Sequence, residues 1–312
     1  MNNQFDIPIV IIIYNRFEYL KDILSKLRII KPKKIYIAAD GPKNFDDKTK
    51  CDFSKNYLEK NISWDCKIIK NYNTMNIGLK KNINRGLDWF FTNETMGIIL
   101  EDDCNPSLSF FQFCKELLLK YENKNQIKMI SGNFYYEKKF TASESYFFSQ
   151  RPGTHGWATW RRTWLENDQS MNNWKSIYDF FWLLKFFNLN IAKAHYFYKK
   201  FQYSYEGKIN SWDYQFLLSI WKKNGLIIRP YKHLCKHVGW GSQSTHGKGS
   251  DSFPTLLEKE ISFPLIHPTK MKINHFLDDV EDSNVRKIKF INYFYYKIKN
   301  NSFIKKIKLL IG

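Results

Sequence analysis

The chain has 312 residues, 43% of them hydrophobic, which is enough for the core of one large α/β domain or two modest ones and excludes a small disulfide-stapled scaffold. Its cysteines, Cys51, Cys66, Cys104, Cys114 and Cys235, are odd in number, widely spread and without a CxxC pair, so they suggest neither a zinc site nor a bridge framework and fit a reducing compartment. A formal charge of +19 asks for an acidic partner such as nucleic acid, an anionic membrane face or a phosphorylated substrate, although a composition rich in Lys, Asn, Ile, Phe and Tyr is also what an AT-rich genome gives.

Pro8 to Tyr14 is a continuous, largely β-branched run, typical of a strand buried on both faces. Asp6 before it and Tyr14-Asn15-Arg16 after it do not fit a secretory signal. The run is also far shorter than the roughly 20 residues a membrane-crossing helix needs, and a cytoplasmic protein is expected. Phe17, Leu20, Leu24 and Leu27 then recur at helical spacing. Lys34 to Ala39 predicts a second strand, stopped by Asp40-Gly41-Pro42. A polar helix near Lys48 to Lys60 leads to a third strand at Cys66 to Ile69, and Leu79, Ile83, Leu87 and Phe90 mark the buried face of the next helix. Met96 to Leu100 predicts a fourth strand that runs directly into Glu101-Asp102-Asp103. Pro106 and an amphipathic helix carrying Leu108, Phe111, Cys114, Leu118 and Tyr121 follow. Strands alternating with helices predict a doubly wound, mostly parallel sheet whose ligands bind beyond the carboxyl ends of the strands. Tyr14-Asn15, Asp40-Gly41 and Glu101 to Asp103 all fall there.

From about Tyr135 the alternation fades, aromatic residues crowd in and glycine-bearing loops appear at Gly153, Gly156, Gly239 and Gly241. The expected organisation is therefore 1–134, an α/β half; 135–283, an aromatic-rich half; and 284–312, a basic helical tail. That tail holds Arg286, Lys287, Lys289, Lys297, Lys299, Lys305, Lys306 and Lys308 with no acidic residue, interleaved with apolar side chains. It predicts either a solvated surface helix or a segment lying on an anionic leaflet, where each cation contributes about 1 kcal/mol.

Three carboxylates at the end of an apolar strand repel one another and raise each other's pKa unless a cation neutralises them. Hard oxygen ligands of this kind select Mg2+ or Mn2+, which keep positions open for phosphate oxygens. If the chain stays extended, Glu101 and Asp103 point to one side and Asp102 to the other. The competing reading is that the triplet favours the dipole of the following helix; its position after the fourth strand favours the metal.

At these residues the chain resembles a GT-A glycosyltransferase, and its first 150 residues resemble bacterial family 2 enzymes. Asp102-Asp103 with Glu101 stands where that family has its DxD-type metal motif. Tyr14, Asn15 and Arg16 stand where the first strand ends against the nucleotide, and Asp40 where an aspartate meets the uracil ring. Asn76-Ile77-Gly78 with Asn84-Arg85-Gly86 is similar to the family's spaced Asn-x-Gly pair. Ile83 departs from the usual basic residue there, with Lys80, Lys81 and Arg85 as substitutes at the phosphate. Gly97 to Asp103 and His155-Gly156-Trp157 also look similar to N-acetylglucosaminyltransferase I. In such inverting enzymes the catalytic base falls where Asp213 stands, and a glycine loop with a histidine, here Gly239-Trp240-Gly241 and Thr245-His246, closes over the donor.

The resemblance implies an enzyme that moves a sugar from a nucleotide sugar, UDP-linked in particular, to a glycan or lipid-linked acceptor, with inversion. The implied setting is bacterial surface polysaccharide synthesis, peripheral to the inner face of the plasma membrane. Mn2+ or Mg2+ would be held by Asp103 and His246. Asp213 is the expected base and Glu206 the substitute; His155, Trp157 and Glu206 are expected on the acceptor side. Each has an ordinary structural alternative. Asp213 suits the first turn of a helix capped by Ser211, Asp40 suits a turn before Gly-Pro, and Trp157 and Trp160 suit either sugar stacking or the core. A sugar nucleotidyltransferase would share the sheet and metal but wants a glycine-rich basic loop after the first strand, which Asn15-Arg16-Phe17 does not offer. Nucleic acid is not expected as a partner, because a nucleic-acid-binding protein would leave the acidic triplet unexplained.

Overall fold

The computed structural model describes residues 4–136, 142–239 and 256–288. The first half follows the predicted order: β1 (Ile9–Ile13), α1 (Phe17–Ile30), β2 (Lys34–Ala39), α2 (Phe45–Asn61), β3 (Lys67–Tyr72), α3 (Leu79–Asn93), β4 (Met96–Glu101), β5 (Cys104–Pro106), α4 (Leu108–Lys120) and β6 (Ile127–Ser131). The second half adds β7 (Tyr146–Ser149), β8 (Trp157–Trp160), α5 (Arg161–Trp164), α6 (Phe180–Phe186), α7 (Ile191–Tyr205), α8 (Asp213–Lys222), β9 (Leu226–Pro230), β10 (Cys235–His237) and α9 (His275–Asn284).

The architecture is α/β, built on an eight-stranded sheet in the order β3-β2-β1-β4-β8-β6-β9-β7. β3, β2, β1 and β4 are parallel, as their helical crossovers require. β8 runs antiparallel to both β4 and β6, β9 is parallel to β6, and β7 closes the edge antiparallel to β9. Strands from the second half thus interleave with β6 in the same sheet. The fading alternation after Tyr135 conceals them because β7 and β8 are four-residue segments, YFFS and WATW.

Every residue of β1 is buried, and its pleat sends Ile9, Ile11 and Ile13 to one core with α1, α2 and α4. Val10 and Ile12 face the other, with α3 and α5 to α8; period-two alternation separates the two layers. Leu20, Ile23, Leu24 and Leu27 form the buried stripe of α1, which ends at Lys31 in the left-handed region. Asn44 and Ser107 cap α2 and α4 by accepting from Asp47 N and Phe110 N, satisfying donors a helix start leaves orphaned.

α9 is fastened to the segment just after β7 and to β9 by buried ion pairs. Arg151 donates to Asp282 at 2.8 and 2.7 Å, Arg229 Nη2 lies 2.9 Å from Glu281, and Arg286 Nη1 lies 2.8 Å from Glu281. Arg286, grouped by sequence with the basic tail, is therefore spent inside the fold, its side chain 9% exposed. The tail from 289 on lies outside the described residues. Among those described, no helix is long and apolar enough to cross a membrane.

Candidate active site

A cleft of about 420 Å³ opens at the carboxyl ends of β1, β2 and β4, lined among others by Tyr14, Arg16, Asp40, Asn76, Gly78, Glu101, Asp102, Asp103, His155, Ser211, Asp213 and His237. Its size suits a small-molecule ligand.

The acidic triplet is its centre. β4 ends at Glu101 and the chain turns at Asp102-Asp103, so the extended geometry that would split the carboxylates between two faces does not occur. All three line the cleft. Asp102 Oδ2 accepts from Tyr14 N at 3.0 Å. Asp103 Oδ2 accepts from Arg16 Nη1 at 2.6 Å and lies 3.2 Å from His237 Nε2; Arg16 Nη1 is 3.6 Å from Asp102 Oδ1. No hydrogen bond or ion pair holds the Glu101 carboxylate among the described residues.

The charges are unequal in their comfort. Burial and the neighbouring Asp103 push Asp102 up to about 7, against Arg16 and the Tyr14 amide. Burial, Asp103 and Asp102 raise Glu101 well above the usual carboxylate range. Burial works against Asp103 too, but His237 and Arg16 outweigh it and hold that carboxyl at about 2. The raised carboxyls are the mark of three acids held close together, a crowding that a further cation would relieve.

His237 was not singled out by the sequence. β10 pairs antiparallel with β5, placing His237 opposite Cys104, the residue after Asp103. Val238 N donates to Asp103 O at 2.9 Å. A Cβ on Gly239 would stand 2.5 Å from Asp103 Oδ2, so only glycine lets this backbone approach the acid so closely. His155, entering β8, packs its ring 4.1 Å from that of His237. Burial and His237 lower the His155 pKa to about 3, leaving a neutral imidazole. His246, expected to ligate the metal, lies outside the described residues, as do Trp240, Gly241 and Thr245.

The donor set fits Mn2+ or Mg2+ in part. Asp103 and His237 offer oxygen and nitrogen ligands side by side, and Asp102 and Glu101 add hard oxygens nearby. Yet among the described residues no three His, Cys, Asp or Glu side chains form a metal cage.

Asp40 is 3% exposed and its carboxylate is already engaged. Oδ1 accepts from Gly41 N at 2.9 Å, Ile77 N at 2.9 Å and Asn73 Nδ2 at 3.2 Å. Oδ2 accepts from Asn76 Nδ2 and Gly78 N, both at 3.0 Å. Two carboxylate oxygens have about four lone-pair sites, so the geometry gives Asp40 the holding of the loop at 73–78 rather than a contact with a base. Gly41 permits this closeness, since a Cβ there would meet Met75 backbone at 2.4 Å. Gly78 has φ +86 and starts α3.

Tyr14 and Asn15 are similarly held. Asp47 of α2 accepts from the Tyr14 hydroxyl, from Asn15 Nδ2 at 2.6 Å and from Lys43 N at 2.9 Å. Tyr14 lines the cleft.

Several expected site residues point elsewhere. Arg85 donates to Asn71 Oδ1 on β3, and Asn82 of the same helix reaches the cleft instead. Lys80 Nζ is 2.6 Å from the Gln215 side-chain amide oxygen once that amide is turned to satisfy its neighbours, tying α3 to α8. Glu206 is exposed at the end of α7 and pairs with Lys208 at 2.6 Å. Trp157 is fully buried and stacks on Trp212 at 5.3 Å; Trp160 is buried with Nε1 donating to Leu118 O at 3.1 Å. Both belong to the core, and Trp212 is the indole that reaches the cleft.

Asp213 begins α8 and lines the cleft. Ser211 does not cap that helix: Trp212 is the N-cap without a side-chain bond, and Ser211 Oγ donates to Asp213 Oδ1.

No protein-family model matches the chain, and no curated protein is similar to it in sequence. Among solved structures it is similar to the mannosyltransferase PcManGT from Pyrobaculum calidifontis in complex with GDP-Man and Mn2+, at 9% identity over 70% of this chain and 68% of that one, TM-score 0.37. It is similar to mouse xyloside xylosyltransferase 1, at 9% identity over 70% and 83%, TM-score 0.33. A UDP-glucose pyrophosphorylase complexed with UDP-glucose is similar at 7% identity over 51% and 78%, TM-score 0.32. Overlaps this loose leave function to be judged from the side chains of the cleft.

Proposed function

We propose that the protein is a divalent-cation-dependent glycosyltransferase that takes a nucleotide sugar, a UDP-sugar in particular, and passes the sugar with inversion to a glycan or lipid-linked acceptor. The observation that carries this reading is the convergence on one cleft of Glu101, Asp102, Asp103 and His237 with Asp213, a carboxylate from a separate helix. A bound Mn2+ or Mg2+ would supply Lewis-acid neutralisation of the departing diphosphate. Asp103 and His237 would hold the ion, with Asp102 and Glu101 adding negative charge around it. Asp40 and Asn76 keep the loop at the cleft rim in place. Asp213 takes the proton from the acceptor hydroxyl as that oxygen attacks the anomeric carbon. Ser211 fixes one Asp213 oxygen, leaving the other for the acceptor. A single displacement of this kind needs one base and no protein nucleophile.

The test is a thermal-shift screen of nucleotide sugars with and without Mn2+, followed by product analysis with the donor that stabilises. One UDP-sugar stabilising only with metal is expected. Asp213→Asn should lower kcat by about 10²–10⁴ while donor stabilisation persists. Turnover within a few fold of wild type would remove Asp213 from the role. Release of pyrophosphate from UTP and a sugar 1-phosphate would make the protein a nucleotidyltransferase instead.

A further inference from the structure

We infer that Arg16 is an internal counter-ion which a divalent cation must displace, so that cation and diphosphate enter the cleft cooperatively. The inference rests on the proposed metal-dependent reading and adds an order to it. Arg16 Nη1 lies 2.6 Å from Asp103 Oδ2, and His237 Nε2 lies 3.2 Å from that same oxygen. A Mg2+ ligated by this oxygen would sit about 2.0–2.1 Å from it, on an oxygen the guanidinium already occupies. Two positive charges on one carboxylate oxygen repel in a half-buried cleft, so each weakens the other's hold on Asp103. Arg16 also reaches Asp102 at 3.6 Å, so its withdrawal uncovers both acids.

Its destination follows from its position. Arg16 is the residue from which α1 starts, directly after the loop that leaves β1, and it already lines the cleft. A side chain pivoting there stays within the cleft, where a planar guanidinium matches phosphate oxygens better than any other side chain. Without a diphosphate, Arg16 and the cation compete for Asp103. With one, Arg16 gains a second anion and the competition ends. Glu101, which no hydrogen bond or ion pair holds among the described residues, offers the arriving cation a carboxylate with which Arg16 makes no direct contact.

The experiment measures free Mn2+ by electron paramagnetic resonance during titration of the full chain, with and without saturating UDP. It compares wild type, Arg16→Gln, Arg16→Lys and Asp103→Asn. Wild type should bind Mn2+ at least tenfold more tightly with UDP than alone. Arg16→Gln should bind Mn2+ alone at least tenfold more tightly than wild type, with most of the UDP enhancement gone. Arg16→Lys, which keeps a charge but not the fork that spans two acids, should lie between them and serves if the glutamine variant does not fold. If neither arginine variant gains Mn2+ affinity while Asp103→Asn loses it, the displacement idea is overturned and the metal site stands. If Asp103→Asn binds Mn2+ as wild type does, the metal reading fails and this inference with it.

Discussion

Asp40→Asn separates a positioning role from a ligand contact. The carboxylate accepts three donors at Oδ1 and two at Oδ2, between 2.9 and 3.2 Å. In asparagine one oxygen becomes an amide nitrogen. Placed with the smallest loss, that nitrogen faces Asn76 Nδ2 and Gly78 N, so two charge-assisted hydrogen bonds vanish and donors oppose one another. At about 1.5 kcal/mol each, the lower figure for bonds to a charged group, the loss is roughly 3 kcal/mol. For a chain of this size that corresponds to a fall in Tm of about 4–5 °C. The loop at 73–78 loosens at the same time, and UDP affinity should fall together with stability. Differential scanning calorimetry and isothermal titration with UDP measure the two. If Tm stays within 1–2 °C of wild type, as expected of a surface change, while UDP binding collapses, the carboxylate is a ligand contact and the hydrogen-bond reasoning is refuted.

The α9 network should govern acid stability. Burial opposes ionisation of Glu281 and Asp282, yet the paired arginines outweigh it and lower both from their ordinary 4.5 and 3.8. Acids with depressed folded pKa values contribute fully above the unfolded values and lose that contribution as pH falls through the folded ones. Burial raises Asp278, which acts in the opposite sense and blunts the slope. Wild-type stability should therefore drop below about pH 4, and Asp282→Asn should flatten that drop in urea titrations across pH. Arg151→Met leaves Asp282 buried without its main partner and should cost roughly 3–5 kcal/mol at pH 7, read from urea midpoints. Gly239→Ala drives a methyl to within 2.5 Å of Asp103 Oδ2 and should weaken Mn2+ binding by about tenfold or more, the equivalent of 1.4 kcal/mol; unchanged binding would show that the backbone yields. The basic segment is tested by flotation with anionic liposomes, using a chain ended after Ile288 so that Arg286 stays in its ion pairs. Loss of flotation without loss of Tm is expected, and equal flotation removes the membrane role.

The first half of the fold was legible because β1 and β4 are buried on both faces and say so: Ile9 to Ile13 and Met96 to Leu100 are apolar without interruption. The acidic triplet was legible because charge at the end of such a strand has no packing explanation. What was hidden depends on pairing across distant sequence. His237 reaches Asp103 through β10 and β5, three-residue strands with no pattern of their own. Trp157 and Trp212 are alike as letters and stack in one core, and only the folded cleft shows that Trp212 is the one that also lines it. Asp40 was found, but its partners come from the loop at 73–78, and the count of donors that changes its role cannot be read from spacing. Arg286 was read by composition with its lysine neighbours, whereas the acids that claim it lie one turn earlier on α9.

The reversal of direction at β4 explains why two halves with such different patterns meet at one site. In a wholly parallel sheet, the loops entering strands open at the edge opposite to those leaving them. β8 is antiparallel to β4, with Trp157 opposite Ile99 and Trp160 opposite Met96, so the start of β8 lies beside the end of β4. The loop entering β8, with Thr154 and His155, is thereby delivered to the edge where Glu101 to Asp103 emerge. β6 is antiparallel to β8 in turn, and its carboxyl end at Ser131 joins the same edge. Asn133 just beyond it donates to Cys235 O at 2.9 Å and steadies the strand that carries His237. Were β8 parallel to β4, His155 would open on the far edge, and the histidines could not stand 4.1 Å apart over the acids.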